Sequence, residues 1–207
     1  MVNTLNMALL SAVKNNDPAA IHTALQNGAD LEFRDISFYT PLIWAAREGN
    51  AKALQYLIDQ NAELDAQNEY GETALIFATT TRHTDCAKIL IACGADLDVK
   101  TFSGCTALMW AVQRDDAPLV DALIAAGAGL DITDDSGGTA LTWAAEQNNH
   151  RMIAKLLTAG ADPEAAYPEK TGKYAAVFAE VAAKTLREKA QKHENLRSYI
   201  KRHKPSP

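Results

Sequence analysis

Thr40-Pro41-Leu42-Ile43-Trp44-Ala45-Ala46 returns as Thr73-Ala74-Leu75-Ile76-Phe77-Ala78. It comes back as Thr106-Ala107-Leu108-Met109-Trp110-Ala111 and again as Thr139-Ala140-Leu141-Thr142-Trp143-Ala144-Ala145. The starts at Thr40, Thr73, Thr106 and Thr139 are evenly spaced. A second marker keeps the same period: Gly28-Ala29-Asp30, Asn61-Ala62-Glu63, Gly94-Ala95-Asp96, Gly127-Ala128-Gly129 and Gly160-Ala161-Asp162. Two markers locked at one gapless period define a repeat array, whose fold is read from the unit and not from the whole chain.

Within a unit, Thr40 and its equivalents are placed to cap a helix by accepting a bond from a free backbone N–H. Pro41 takes the first helical position, where a missing N–H does no harm. Leu42, Trp44 and Ala45 share one stripe. After a turn at Glu48-Gly49-Asn50, the pattern predicts a second helix from about Ala51 to Gln60, with Leu54, Leu57 and Ile58 on its apolar face. Pro118 opens the corresponding helix two units on. The residue that begins each Gly-Ala-Asp element falls where a helix stops in the left-handed conformation. One unit is too small to bury its own apolar face, so the units must stack. Stacking lines up Leu42, Leu75, Leu108 and Leu141, then Trp44, Phe77, Trp110 and Trp143, then Leu57, Leu90, Leu123 and Leu156.

The period, the T-P/A-L-x-W/F-A core and the G-A-D element resemble the ankyrin repeat over nearly the whole chain. The form Thr106-Ala107-Leu108-Met109-Trp110-Ala111 resembles that of bacterial ankyrin proteins. The resemblance implies an all-α repeat solenoid of stacked helix-turn-helix units joined by β-turn fingers. The expected divisions are an N-terminal capping unit over 1–34, full units over 35–67, 68–100, 101–133 and 134–166, and a degenerate C-terminal cap with a basic helical tail over 167–207. Two departures stand out. The family's histidine after T-P-L is replaced by Ile43, Ile76, Met109 and Thr142, so apolar packing is expected to stand in for its polar network. The finger glycine present as Gly71, Gly104 and Gly137 is Phe38 in the first full unit. That finger is either distorted or carries Phe38 outward.

The chain of 207 residues is 47% hydrophobic and 22% charged, which fits a folded globular protein and not a disordered one. Its formal charge is −6, against a nucleic-acid partner, which demands clustered Lys and Arg. The charge is uneven: residues 184–207 hold eight basic and two acidic side chains, leaving −12 on the rest. That basic tail reads as a solvated capping helix, supported by Glu180–Lys184 and Glu188–Lys192 at four-residue spacing, or as a segment that docks on an acidic surface. Cys86, Cys93 and Cys105 are odd in number and lack a paired spacing, so no disulfide framework is expected and a cytoplasmic location is. Neither a signal peptide nor a membrane-spanning stretch is apparent.

No nucleophile elbow, zinc motif, paired cysteines or phosphate loop is present. His22, His83 and His150 fall in different units, with His193 and His203 together in the last, and all read as solvated, His83 and His150 in turns. Asp131, Asp134 and Asp135 beside Gly137-Gly138 lack calcium-loop spacing and read as turn aspartates bonding their own backbone. The Trp column repeats with the unit and reads as core, Cys86 as partly buried core, and Cys105 as a finger-tip residue open to exposure. Hence no enzyme, cofactor or metal is expected.

The resemblance implies protein binding through finger tips and the exposed side of each first helix. Those positions are Ile36, Ser37 and Tyr39; Glu69, Tyr70 and Glu72; Phe102, Ser103 and Cys105; Asp135, Ser136 and Gly138 in the fingers. On the helices they are Arg47 and Glu48, Thr80 and Thr81, Gln113 and Arg114, Glu146 and Gln147. They differ from unit to unit while the core columns stay fixed. Ile36, Tyr39, Tyr70 and Phe102 are the expected anchors. Glu69, Glu72, Asp135 and Glu146 point to a partner with a basic patch. The chain is expected to be a monomer that meets neither nucleic acid nor membrane. The biological alternatives are an immunity or inhibitor protein, or a host-directed effector, using the same surface. An enzyme with an unrecognised site on a repeat scaffold is the third reading.

Overall fold

The computed structural model describes residues 2–166, 173–185 and 187. Ten helices run α1 (Val2–Lys14), α2 (Pro18–Gln26), α3 (Pro41–Glu48), α4 (Ala51–Asp59), α5 (Ala74–Thr80), α6 (Thr84–Ala92), α7 (Ala107–Gln113), α8 (Ala117–Ala125), α9 (Ala140–Glu146) and α10 (His150–Ala159). A further helical segment, α11, covers 173–185. Regular structure among the described residues is all helical. The helices form antiparallel pairs, α1 with α2 through α9 with α10. The first members α1, α3, α5, α7 and α9 each pack on the next, and so do α2, α4, α6 and α8. The result is an inner and an outer row of helices, an all-α repeat solenoid.

Turn chemistry repeats with the sequence. Thr40, Thr73, Thr106 and Thr139 are buried, and their hydroxyls accept from the backbone N–H three residues on, at 3.2–3.4 Å. Ile43, Ile76 and Met109 fill the position after Leu with apolar bulk, each 1% exposed. Thr142 does otherwise. Its hydroxyl accepts from the Thr139 N–H at 2.8 Å and donates to the Thr139 carbonyl at 2.9 Å. The expectation of purely apolar substitution therefore holds at three units and fails at the fourth, which closes a reciprocal cap.

Helix ends close in the same way each time. Gly94 adopts φ +88° beyond α6, and the next amide, of Ala95, bonds back to the Leu90 carbonyl at 3.0 Å. Asn61 does the same at φ +66°, which is why the marker tolerates Asn there. Loop carboxylates then tie unit to unit. Glu32 accepts from the Glu63 N–H, Asp65 from Asp96, Asp98 from Gly129 and Asp131 from Asp162, all at 2.8–2.9 Å. Part of the body's acidity is thus structural. Burial pushes the Asp65 carboxyl up, against the Asp96 N–H that favours its ionised form; neighbouring Asp96 and Glu63 add to the upward push.

The columns are buried as stacking requires: Leu57, Leu90, Leu123 and Leu156 are wholly excluded from water. Alanines 45, 78, 111 and 144 are buried between inner helices and allow their close approach. Cys86 is fully core, and burial, then Asp85, pushes its thiol up to about 11. In α11, Tyr174, Phe178 and Val181 are buried. Glu180 and Lys184 are exposed. The tail beyond 187, with His193 and His203, and the Tyr167-Pro168 insertion lie outside the described residues.

The tryptophan column is less uniform than a core column. Trp44, Trp110 and Trp143 are half-buried, and only Phe77 is buried. The Trp44 indole donates to Asp35 at 2.9 Å and the Trp143 indole to Asp134 at 2.7 Å. The equivalent of those aspartates below Trp110 is Thr101, and the buried Trp110 Nε1 has no hydrogen-bond partner among the described residues. Leaving such a donor unpaired costs about 1–3 kcal/mol. Thr101→Asp restores the acceptor found in the other two units and should raise stability by about 1 kcal/mol in urea denaturation. A variant no more stable than wild type would show that the indole is already satisfied in solution.

Candidate functional site

The fingers are built on one plan. Asp35, Asn68, Thr101 and Asp134 each begin a turn whose N–H donates to the carbonyl four residues on, at 2.9–3.2 Å. Their side chains accept from backbone amides inside the turn: Asp35 from Ser37 and Tyr39, Asn68 from Tyr70 and Glu72, Thr101 from Cys105, Asp134 from Ser136 and Gly138. Successive fingers are bonded in series. The Glu69 N–H donates to the Ser37 carbonyl, Phe102 to Tyr70 and Asp135 to Ser103, at 2.9–3.4 Å. Arg34 donates to the Gln67 carbonyl, Gln67 to Lys100 and Lys100 to Thr133, each one unit along. The tips are therefore held on a rigid frame.

Phe38 resolves the alternatives for the first finger. It adopts φ +61° where Gly71, Gly104 and Gly137 stand at +75° to +80°, so the turn is kept, and its side chain is 53% exposed. A bulky residue held left-handed and outward is strained, and strain of this kind concentrates at functional positions.

Of the expected anchors, Ile36 is 99% exposed, Phe102 70% and Tyr70 58%. Tyr39 is not an open anchor. Its ring is half-buried between Trp44 and Phe77, at centroid distances of 5.4 and 5.1 Å. Burial raises its pKa, and Arg47 beside it works the other way. Cys105 corrects the sequence reading more sharply: the side chain turns inward and is buried, and Gly138 is buried with it. The reason is position, since both sit at the last residue of the turn, where the chain re-enters the stack at the cap threonine.

Glu48, Glu69, Thr81, Ser103, Gln113, Arg114, Asp135, Ser136, Glu146 and Gln147 are exposed. Ser37, Arg47, Glu72 and Thr80 are half-buried. Several are engaged. Thr80 and Thr81 donate to the Phe77 carbonyl, Glu72 accepts from Asn68, Ser136 donates to Asp134, and the Gln147 amide donates to Gln113 at 3.0 Å. Arg47 lies over the Trp44 and Tyr39 rings at 4.8 and 5.5 Å. Lys14, absent from the sequence-based set, lies over the same indole at 3.6 Å. Its signal was its register, one period before Arg47.

Among the described residues no three His, Cys, Asp or Glu side chains gather where they could hold a metal ion. His22 is exposed, its Nδ1 2.8 Å from the Tyr56 hydroxyl. His150 is exposed at the start of α10. His83 is half-buried rather than solvated, its ring covering Gly49. Burial alone would push the Asp134 carboxyl up. The Gly138 and Ser136 amides, the Ser136 hydroxyl and the Trp143 indole outweigh it and hold the pKa below the ordinary value. Asp131 and Asp134 are thus occupied with backbone amides, and Asp135 is exposed.

A regular stack of capped helix pairs with bonded fingers is the architecture of an interaction scaffold. The sequence matches the family model for ankyrin repeats in three copies over residues 9–101 and 93–167. The chain belongs to the ankyrin-repeat family, and in general kind it is a protein-interaction module. No curated protein matches it. Among the described residues no helix is long and apolar enough to cross a membrane.

Two stability outcomes follow. Phe38→Gly relieves left-handed strain of about 1–2 kcal/mol, offset by the greater unfolded-chain entropy of glycine, about 0.4–1 kcal/mol. A net stabilisation of about 0.5–1 kcal/mol is expected in denaturant titration, and a destabilised variant would mean that Phe38 packs where it stands. For Asp134, a folded pKa below the unfolded one means the ionised contacts stabilise fully above about pH 4 and fade as pH falls through the folded value. The stability gap between wild type and Asp134→Asn should narrow on acidification from about pH 6 to about pH 3; a gap independent of pH would contradict the assignment.

Proposed function

We propose that this protein binds a partner protein without catalysis, through finger tips and the exposed side of the inner helices. The observation that carries this reading is the row of exposed Ile36, Phe38, Tyr70 and Phe102 on three successive fingers, mounted on a bonded frame. Large apolar side chains on a rigid support are what supplies interface energy at low ordering cost. The fourth finger offers Asp135 and Ser136 instead, so the apolar part of the contact lies on the first three. Residues 1–34 and 167–207 act as caps to the units at 35–67, 68–100, 101–133 and 134–166, and the chain works as a cytoplasmic monomer. Support for a non-catalytic role comes from the displaced groups Tyr39, Asp65, Cys86 and Asp134, each explained by its own packing and hydrogen bonds, and Cys105 carries no part of the surface.

The test is quantitative capture from the native cell with wild type and a Tyr70→Ala/Phe102→Ala variant. Each substitution should change stability by only about 0.5 kcal/mol, while affinity for the captured protein falls about 30-fold or more. A partner held equally well by the variant would place the contact elsewhere.

A further inference from the structure

We propose that the surface over α1 and α3 is a carboxylate site, taking an acidic side chain of the partner at the cations Lys14 and Arg47 that sit on the Trp44 ring. This rests on the protein-binding reading above and names the chemistry of the partner at one end of it. Lys14, Arg47, Thr80, Gln113 and Glu146 occupy one register position, each a single period after the last, at the ends of the five inner helices. The column thus runs from cationic through neutral to acidic along the array.

At its cationic end two like charges share the Trp44 indole, Lys14 at 3.6 Å and Arg47 at 4.8 Å from the ring centroid. Among the described residues neither forms an ion pair. Asp35, bonded to that same indole, is already engaged through both oxygens by the Trp44 Nε1 and by the Ser37 and Tyr39 amides. By contrast, Lys155 on α10 meets Asp121 on α8. A cation in the last helical turn is favoured by the helix dipole, but the same position on α5, α7 and α9 carries Thr80, Gln113 and Glu146, so the helices form without it. The aromatic rings hold the Arg47 guanidinium by cation–π contact, and guanidinium N–H groups are donors suited to a carboxylate. Ile36 and Phe38, exposed on the finger that ends in Tyr39, whose ring Arg47 covers at 5.5 Å, supply the apolar contact beside it.

The experiment is selection of a random linear peptide library on the immobilised full chain, with affinities of the selected peptides measured on variants whose unfolding midpoints match wild type. Peptides enriched on wild type should carry Asp or Glu beside an apolar residue. They should lose about tenfold or more in affinity on Lys14→Gln/Arg47→Gln, keep it on Lys14→Arg/Arg47→Lys, and weaken as salt rises. Selected peptides that bind the Gln variant as well as wild type, yet fail on Tyr70→Ala/Phe102→Ala, would overturn the carboxylate site and leave the protein-binding reading standing. Peptides indifferent to both variants would overturn both.

Discussion

Everything in this molecule depends on exclusion of water from side chains that no single unit can cover. Leu90 is buried because the units before and after it press on α6. Removing apolar surface from water drives that contact at roughly 25 cal/mol per Å². Much of the gain arises between units, so order in one is conditional on order in its neighbours. The threonine caps, left-handed turns and finger bonds specify the geometry in which this burial is possible.

Because the interior is settled by columns, the exterior is released from structural duty at the finger tips and at the ends of the inner helices. There the residues change character from unit to unit: apolar on the first three fingers, acidic and polar on the fourth; cationic at α1 and α3, neutral at α5 and α7. Rigidity matters as much as exposure. The series of backbone bonds from Ser37 to Asp135 keeps these groups at fixed spacing, so a partner meets a preformed surface.

The architecture was legible in the sequence because its signals are periodic and local: a cap threonine, a left-handed stop and apolar stripes report on the unit alone. Helix bounds at α4 agree with the expected span to within a residue. What the pattern could not convey was direction within a turn. Tyr39 and Cys105 hold the same place at the end of their fingers, and both turn toward the stack, so finger membership alone did not mean exposure. Lys14 was missed because the first unit lacks a finger and drew attention only as a cap. The bond from Thr142 to Thr139 and the orphaned Trp110 indole depend on three-dimensional neighbours that differ between units, which a shared motif conceals.

The carboxylates of Glu32, Asp65, Asp98 and Asp131 make the four joints between the helix pairs from α1/α2 to α9/α10 chemically alike, each offering an oxygen to a loop amide of the unit that follows. Duplication or loss of one internal block, cut to a single period, would present each new neighbour with a donor and an acceptor already in place. Array length and surface character are therefore separable quantities. Whole segments can be exchanged to lengthen the molecule or reorder its exposed groups, with no joint left to be reinvented.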